Sequence, residues 1–246
     1  MIKLILFDLD DTLLAGSMAM LWSHYFSLLG GWMTERLALP DFLPRLHRAT
    51  QQTTAAPDGM NLTNQERFLR SFCEGLSMTE ADVMAAFDEF YATQYPQLKR
   101  AVTRVPAARA VVEWLFAHGY AVGIATNPLF PRAAIEQRLA WAGIPVEEFD
   151  YALVTALENM HTTKPYPAYY DEILAHTGHA PAEALMVGDD LERDLPATQV
   201  GMRFYWIHTP GNAAQSPPPG ARIAGAGALD DFARQVRDEG WLETVS

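Results

Sequence analysis

Ile2-Lys3-Leu4-Ile5-Leu6-Phe7-Asp8-Leu9-Asp10-Asp11-Thr12 is an apolar run that ends in carboxylates. Its length and its acidic boundary predict a buried strand that stops at Asp8. Alternation along an extended chain points Asp8 and Asp10 to the same side. In open α/β sheets the ligand crevice lies outside the carboxyl ends of the strands, so two carboxylates spaced by one residue emerge where catalytic groups collect. The arrangement suits a nucleophile, an acid and a cation. Taken alone, the same residues also read as an ordinary acidic surface turn; the rest of the chain weighs against that.

Beyond Val105-Pro106 the apolar pattern alternates between strand and helix. It predicts helix 106–118, strand Tyr120 to Thr126, helix 131–142, a short strand near Tyr151 to Val154, and helix 166–177. Strand Ala184 to Val187, helix 190–199, strand Arg203 to His208 and helix 228–239 follow. Gly119 and Gly143 are placed to close helices, and Pro106 and Pro131 to open them. Thr209 to Gly227, rich in Pro, Gly and Ala, reads as an exposed connection with a short extended piece at Ile223. The alternation predicts an α/β fold, a doubly wound and mostly parallel sheet built from βαβ units.

Between Ser17 and Arg100 no strand is expected. Met18, Leu21, Trp22, Tyr25, Leu28 and Leu29 recur at helical steps, as do Val83, Phe87, Phe90 and Tyr91 behind the start signal Ser77-Met78-Thr79-Glu80. Thr50 to Asn64 reads as a polar loop with a turn at Pro57-Asp58-Gly59. The first strand and the later βαβ units need one another to form a sheet, which makes the helical stretch an insertion. We expect a core of residues 1–14 and 101–246, with an α-helical cap domain of residues 15–100 rooted beside the acidic loop.

A chain of 246 residues, 49% hydrophobic, can bury one α/β domain and a smaller insertion. The net charge of −12 argues against a nucleic-acid polymer as partner. Cys73 is the single cysteine, so no internal disulfide forms, which fits a reducing compartment. The first apolar run is too short for a signal-peptide core or a membrane span. The expectation is a cytoplasmic protein that does not engage a membrane; the sequence does not set its oligomeric state.

Three further motifs fall at expected strand or helix boundaries. Thr126-Asn127 follows the strand Ala121 to Ala125 and reads either as a turn or as an anion site. Lys164 precedes Pro165 and reads as a solvated lysine or a phosphate partner. Leu185-Met186-Val187-Gly188-Asp189-Asp190 runs a second apolar strand into carboxylates, with Asp194 a helical turn on. Asp190 suits a helix N-cap and a metal site equally well. Gathering Asp8, Asp10 and Asp189 in one crevice would force some of them to hold protons unless a cation neutralised them. Oxygen-only ligands of this kind suit Mg²⁺.

Taken in order, Asp-x-Asp-x-Thr, Thr-Asn at a strand end, Lys-Pro and Gly-Asp-Asp-x-x-x-Asp give a chain that resembles the haloacid dehalogenase-like hydrolase superfamily over nearly its whole length. The resemblance implies a doubly wound core with the first strand central and a mobile helical cap after it. It implies Asp8 as nucleophile, forming an aspartyl-phosphate, and Asp10 as general acid and base. It implies Mg²⁺ on Asp8, the Asp10 carbonyl and Asp189, with Asp190 or Asp194 ordering its waters, and Thr126, Asn127 and Lys164 on the phosphoryl group. Dehalogenating members typically lack the second aspartate, so Asp10 points to hydrolysis of a small phosphorylated metabolite. A sugar phosphomutase would use the same residues, and a catalytically silent binding module is disfavoured because every motif is intact. Substrate choice in such proteins lies in the cap. Here Arg36, Arg45, Arg48, Arg67 and Arg70 are expected to face water, and Trp22, Trp32, Tyr25 and Phe26 to fill the cap core.

Overall fold

A computed structural model describes residues 1–16, 18–56, 59 and 61–245. The chain opens with β1 (Leu4–Phe7), whose side chains are all fully buried. It is followed by β2 (Leu14–Gly16), then helices α1 (Met18–Leu37), α2 (Phe42–Thr54), α3 (Asn64–Phe72) and α4 (Glu80–Thr93), and β3 (Val102–Arg104). The remainder alternates: α5 (Pro106–Ala117), β4 (Ala121–Ile124), α6 (Arg132–Ala142), β5 (Leu153–Val154), α7 (Pro167–Thr177), β6 (Ala184–Gly188), β7 (Arg203–Ile207), β8 (Gly225–Gly227), α8 (Leu229–Asp238) and α9 (Trp241–Thr244).

Six strands form a parallel sheet in the order β5-β4-β1-β6-β7-β8. β1 is hydrogen-bonded on both edges, to β4 and β6, and must be apolar on both faces because helices cover each side. Ile5 and Phe7 face one layer with Val111 and Val112 of α5 and Phe232 of α8, whereas Leu4 and Leu6 face the other with Tyr169, Tyr170 and Ile173 of α7. This split of alternate residues is what doubly winds the sheet. Gly123 in β4 is needed for close approach, since a Cβ there would lie 2.8 Å from Leu6 Cδ2. The α/β, doubly wound parallel architecture is as the alternation predicts.

Several local expectations differ from the structure. β2 and β3 pair as a separate antiparallel ribbon, Leu14 opposite Arg104, at the root of the helical insertion; three residues apiece are too few to register as alternation. Helix 190–199 is replaced by a turn and a 3-10 segment, Leu195–Val200. Pro196 lacks the N–H that an α-helix would use, and the Asp190 carboxylate accepts from Glu192 N at 2.8 Å and Arg193 N at 3.1 Å, closing a turn instead. Thr50–Thr54 is helical, the last turn of α2, because the buried stripe Phe42, Leu46, Ala49 and Thr53 carries the helix through it, with the Thr53 hydroxyl satisfied by the Ala49 carbonyl. The extended piece expected at Ile223 is displaced to Gly225–Gly227, paired with β7. At α4 the capping box is formed by Thr79 and Asp82, two residues beyond the expected start. The turn expected at Pro57-Asp58 lies outside the described residues. No helix among the described residues is long and apolar enough to cross a membrane.

The helical segment is fastened to the sheet-bearing part at α3. The first amides of a helix have no partner within it, and here Asn64 N donates to Met160 O at 2.7 Å and Gln65 N to Leu157 O at 2.9 Å. The fully buried Asn64 side chain donates to Thr162 O at 3.0 Å and Pro128 O at 3.3 Å and accepts from Arg67 Nη2 at 2.6 Å. Arg67 also donates to His161 O at 2.9 Å. Asn64→Ala strips this junction of its donor and acceptor at once, and is expected to lower unfolding free energy by about 1–3 kcal/mol. Chemical denaturation checks it; an unchanged midpoint would show that the junction contributes nothing.

Candidate active site

The carboxyl ends of β1, β4 and β6 carry the chemistry. Ala125 N donates to Phe7 O at 2.7 Å and Asp8 N to Val187 O at 2.9 Å, so the sheet ladder holds the backbone rigid up to Asp8. The chain then reverses over Asp10–Leu13, with Asp11 left-handed at φ 59°, a conformation that Asp tolerates better than most residues. At the end of β4 the Thr126 carbonyl accepts from Thr155 Oγ1 at 2.7 Å and Tyr169 OH at 2.8 Å. At the end of β6 the Asp189 carbonyl accepts from Trp206 Nε1 at 3.0 Å and Asn212 Nδ2 at 2.9 Å. Each of these contacts fixes a backbone and thereby aims a side chain.

Lys164, buried in the loop before α7, bridges two of the strand-end carboxylates. Its Nζ donates to Asp8 Oδ1 at 2.8 Å and to Asp194 Oδ1 at 2.5 Å. Asp194 Oδ2 in turn accepts from Asp190 N at 3.1 Å. Carboxylate oxygens of Asp8, Asp189 and Asp194 all lie within 4.8 Å of one another. One ammonium among three such groups leaves negative charge uncompensated. Burial, opposed by Lys164 and reinforced by Asp194 and Asp10, pushes the Asp8 carboxyl up to about 7. Burial and then the charges of Asp8 and Asp194 push Asp189 up to about 8. Asp194 is raised by burial against the pull of Lys164, and Lys164 stays well above its ordinary value because Asp194 and Asp8 outweigh its desolvation. A buried all-oxygen set, its carboxyls raised by desolvation and by one another's charge, fits a hard divalent cation.

Asp10 has its own cation. Arg138 of α6 is 1% exposed and forms an ion pair with Asp10 Oδ2, while its guanidinium lies 4.8 Å from the Phe130 ring centroid. Desolvation alone would lower the Arg138 guanidinium, and Asp10 with Tyr95 lifts it above its usual value. The other Asp10 oxygen, Oδ1, is buried with no protein partner. Arg138 escaped the sequence reading. The signal was a single arginine on the inward stripe Ile135, Arg138, Leu139, Ala142 of an otherwise apolar helix face. Asn212 also escaped it, inside a segment read as plain connection; Asn212 is 3% exposed and bonds Ile207 O at 2.8 Å as well as Asp189.

Of the residues singled out in the sequence, Asp8, Asp10, Thr126, Asn127, Lys164, Asp189, Asp190 and Asp194 all line one cavity of about 490 Å³. They do not all converge. Thr126 is buried, and Asn127 keeps a buried Oδ1 without a protein partner. The Asp190 carboxylate is engaged by the turn amides and lies 3.5 Å from Arg193, apart from the Asp8, Asp189 and Asp194 group. Of Trp22, Tyr25 and Phe26, expected to fill the core of the helical layer, Tyr25 is buried in it, whereas Trp22 is half-buried and Phe26 exposed; all three line this cavity.

The sequence profile of the haloacid dehalogenase-like hydrolases matches residues 2–200. The chain belongs to that family, and it is a hydrolase. A haloacid dehalogenase-superfamily (HAD) phosphatase from Thermococcus onnurineus superimposes with a TM-score of 0.57 at 22% identity, over 96% of this chain and 98% of that one. A 2-haloacid dehalogenase from Pseudomonas syringae pv. Tomato DC3000 superimposes with a TM-score of 0.61 at 21% identity, over the same shares of the two chains. A predicted phosphoglycolate phosphatase from Haemophilus somnus 129pt gives 0.56 at 19%, over 96% and 98%. At such identities these likenesses establish the fold. No curated protein matches the chain.

The raised carboxylates have a consequence for stability. Folded Asp8 and Asp189 retain protons, to about 7 and about 8, that the unfolded chain releases near 3.8. Their contribution is therefore complete below the lower value and is lost as pH rises through the upper ones. In metal-stripped protein the melting temperature is expected to fall between about pH 4 and about pH 8, and less steeply in Asp189→Asn. Calorimetry across that range checks it, and parallel slopes for the two proteins would contradict it.

Proposed function

We propose that the chain is a Mg²⁺-dependent phosphomonoesterase of the cytoplasm that acts on a small phosphorylated metabolite, with residues 15–100 as a cap domain over a core of residues 1–14 and 101–246. The observation that carries the reading is the separation of two neighbouring carboxylates onto different buried cations, Asp8 on Lys164 and Asp10 on Arg138. Two carboxylates with distinct surroundings can take distinct tasks.

In this reading an Asp8 carboxylate oxygen attacks phosphorus, the bond to the leaving oxygen breaks, and Asp10 delivers a proton to that oxygen. The partnerless Oδ1 would carry that proton. Asp10 then takes a proton from water as the water attacks the aspartyl-phosphate, releasing inorganic phosphate and restoring Asp8. One carboxylate thus divides a hard displacement into two easier ones. The Thr126 hydroxyl, the Asn127 amide and the Lys164 ammonium hold the phosphoryl oxygens. Asp8, the Asp10 carbonyl and Asp189 would hold Mg²⁺, with Asp194 beside them, and the ion would supply neutralisation of the developing charge. Asp190 supports the site through its turn. A phosphomutase would employ the same residues and is distinguished by its product, since only hydrolysis liberates phosphate.

Asp8→Asn is expected to abolish phosphate release in a chain that is still folded at the assay temperature, because the amide keeps the shape and loses the nucleophile. Asp10→Asn is expected to lose about 10²–10⁴ in turnover of alkyl phosphates. Aryl phosphates, whose leaving groups need little protonation, are expected to lose less. Equal losses on both would contradict the acid role. Phosphate release is expected to need Mg²⁺, to stop in chelator, and to be supported poorly by Ca²⁺, which prefers more and longer oxygen contacts; full activity in chelator would contradict the metal assignment.

A further inference from the structure

The cavity wall opposite the carboxylates is aromatic. Trp22, Tyr25 and Phe26 of α1, Phe68 of α3, Phe87 of α4 and Phe130 of the core all line it. Trp22 stacks on Phe130 with centroids 5.4 Å apart and 23° between planes. Phe26 lines the cavity with 48% of its surface exposed. The polar groups that the helical segment sends to this wall are few. Tyr25 and Tyr91 are bonded hydroxyl to hydroxyl at 2.9 Å, and beyond that pair the segment offers the Trp22 indole N–H, Thr50 and the exposed Asp88.

No arginine of the helical segment lines the cavity among the described residues. Arg36 pairs with Glu89, Arg45 with Asp41, Arg48 with the Ser71 carbonyl and Arg67 with Asn64. The cations that do line it are already paired: Lys164 with Asp8 and Asp194, Arg138 with Asp10, and Arg193 with Asp190. Asp88 adds negative charge on the side away from the catalytic carboxylates. Hydroxyl-rich ligands require fixed polar partners when they leave water, and an anionic end requires a free cation. This wall supplies few of the first and, among the described residues, no unpaired example of the second.

Resting on the phosphomonoesterase reading and narrowing it, we infer that the substrate is the monophosphate ester of an aromatic or extended apolar alcohol bearing no second anionic group. The phosphoryl group sits among Asp8, Thr126 and Lys164, and the leaving group lies against the ring wall. A cationic or hydrogen-bond-donating tail is accepted beside Asp88. Sugar phosphates and phosphorylated carboxylic acids are disfavoured by the same wall, one because its polar partners are few and the other by charge.

The test compares esters whose leaving alcohols differ little in acidity, so that chemistry does not mask recognition. With Mg²⁺ present, kcat/KM for naphthylethyl phosphate is expected to exceed that for ethyl phosphate, glucose phosphate and phosphoglycolate by at least about tenfold, the scale on which an apolar pocket discriminates. Phe26→Ser, at an exposed position that the fold tolerates, is expected to raise KM for the naphthylethyl ester more than for the ethyl ester and so to shrink that ratio. Asp88→Arg is expected to improve phosphoglycolate relative to naphthylethyl phosphate. If ethyl phosphate or phosphoglycolate is hydrolysed as well as the naphthylethyl ester, the inference fails and the phosphatase reading stands. If Phe26→Ser leaves the ratio unchanged, the ring wall is not the recognition surface and the inference fails likewise. Release of phosphate from none of the esters overturns both.

Discussion

The Lys164 ammonium, held between Asp8 at 2.8 Å and Asp194 at 2.5 Å, is the interaction around which the strand ends are arranged. All three groups are removed from bulk water, and breaking such a buried pair by deleting one partner costs about 3–5 kcal/mol. The backbone conforms to it. For Asp194 to reach Lys164 it must lie directly over Gly188, where a Cβ would come within 2.1 Å of its Oδ2, so the residue before Asp189 has no side chain. The same placement explains why the chain after β6 turns instead of entering an α-helix: the Asp190 amide is turned toward Asp194, and the Asp190 carboxylate caps the turn. The electrostatic account follows from the count of charges. One ammonium cannot neutralise Asp8, Asp189 and Asp194, which is why burial leaves Asp8 and Asp189 titrating near neutrality and why a hard divalent ion suits the cluster.

Two residues along the chain, the environment changes entirely. Asp10 faces a guanidinium that is walled from solvent by Phe130, and it retains one oxygen without a protein partner. Neighbouring carboxylates on one strand end are thereby kept from acting as an interchangeable pair. Arg138 also closes the floor of the aromatic cavity, so the group that holds Asp10 helps bound the space above it. In the proposed reading, substrate recognition and proton transfer share a wall, and the helical segment is bonded to the core at Asn64 and Arg67.

The sheet was legible because its cause is local. A strand buried on both faces has to be apolar at nearly every position, as Leu4 to Phe7 and Leu185 to Val187 are, and the helices between strands carry their own periodicity. The short ribbon Leu14–Gly16 with Val102–Arg104 was not legible, because its pairing partner lies across the whole helical insertion and neither strand has length enough for a pattern. The candidate site divides in the same way. Carboxylates at strand ends announce themselves; Arg138, Asn212 and Asn64 do not, since each is defined by what it meets in space: the carboxyl group of Asp10, the carbonyl of Asp189, and the carbonyls of Pro128 and Thr162. Trp22 and Phe26, unlike the buried Tyr25 beside them, show the limit of reading aromatic residues at helical spacing as core. Periodicity places them on one face of α1, and only the fold places a cavity against that face.

The central claim is that the Asp8 oxygen beside Lys164 is the atom on which the phosphoryl group lands. The direct measurement is to quench the enzyme during turnover of a phosphate ester, reduce the acyl-phosphate with borohydride, and locate the reduced residue by peptide mass spectrometry. The account predicts that Asp8 is converted to homoserine and that no other carboxylate is. Reduction at Asp10 or Asp189 instead, or no reduced residue in protein quenched while it is releasing phosphate, would contradict it.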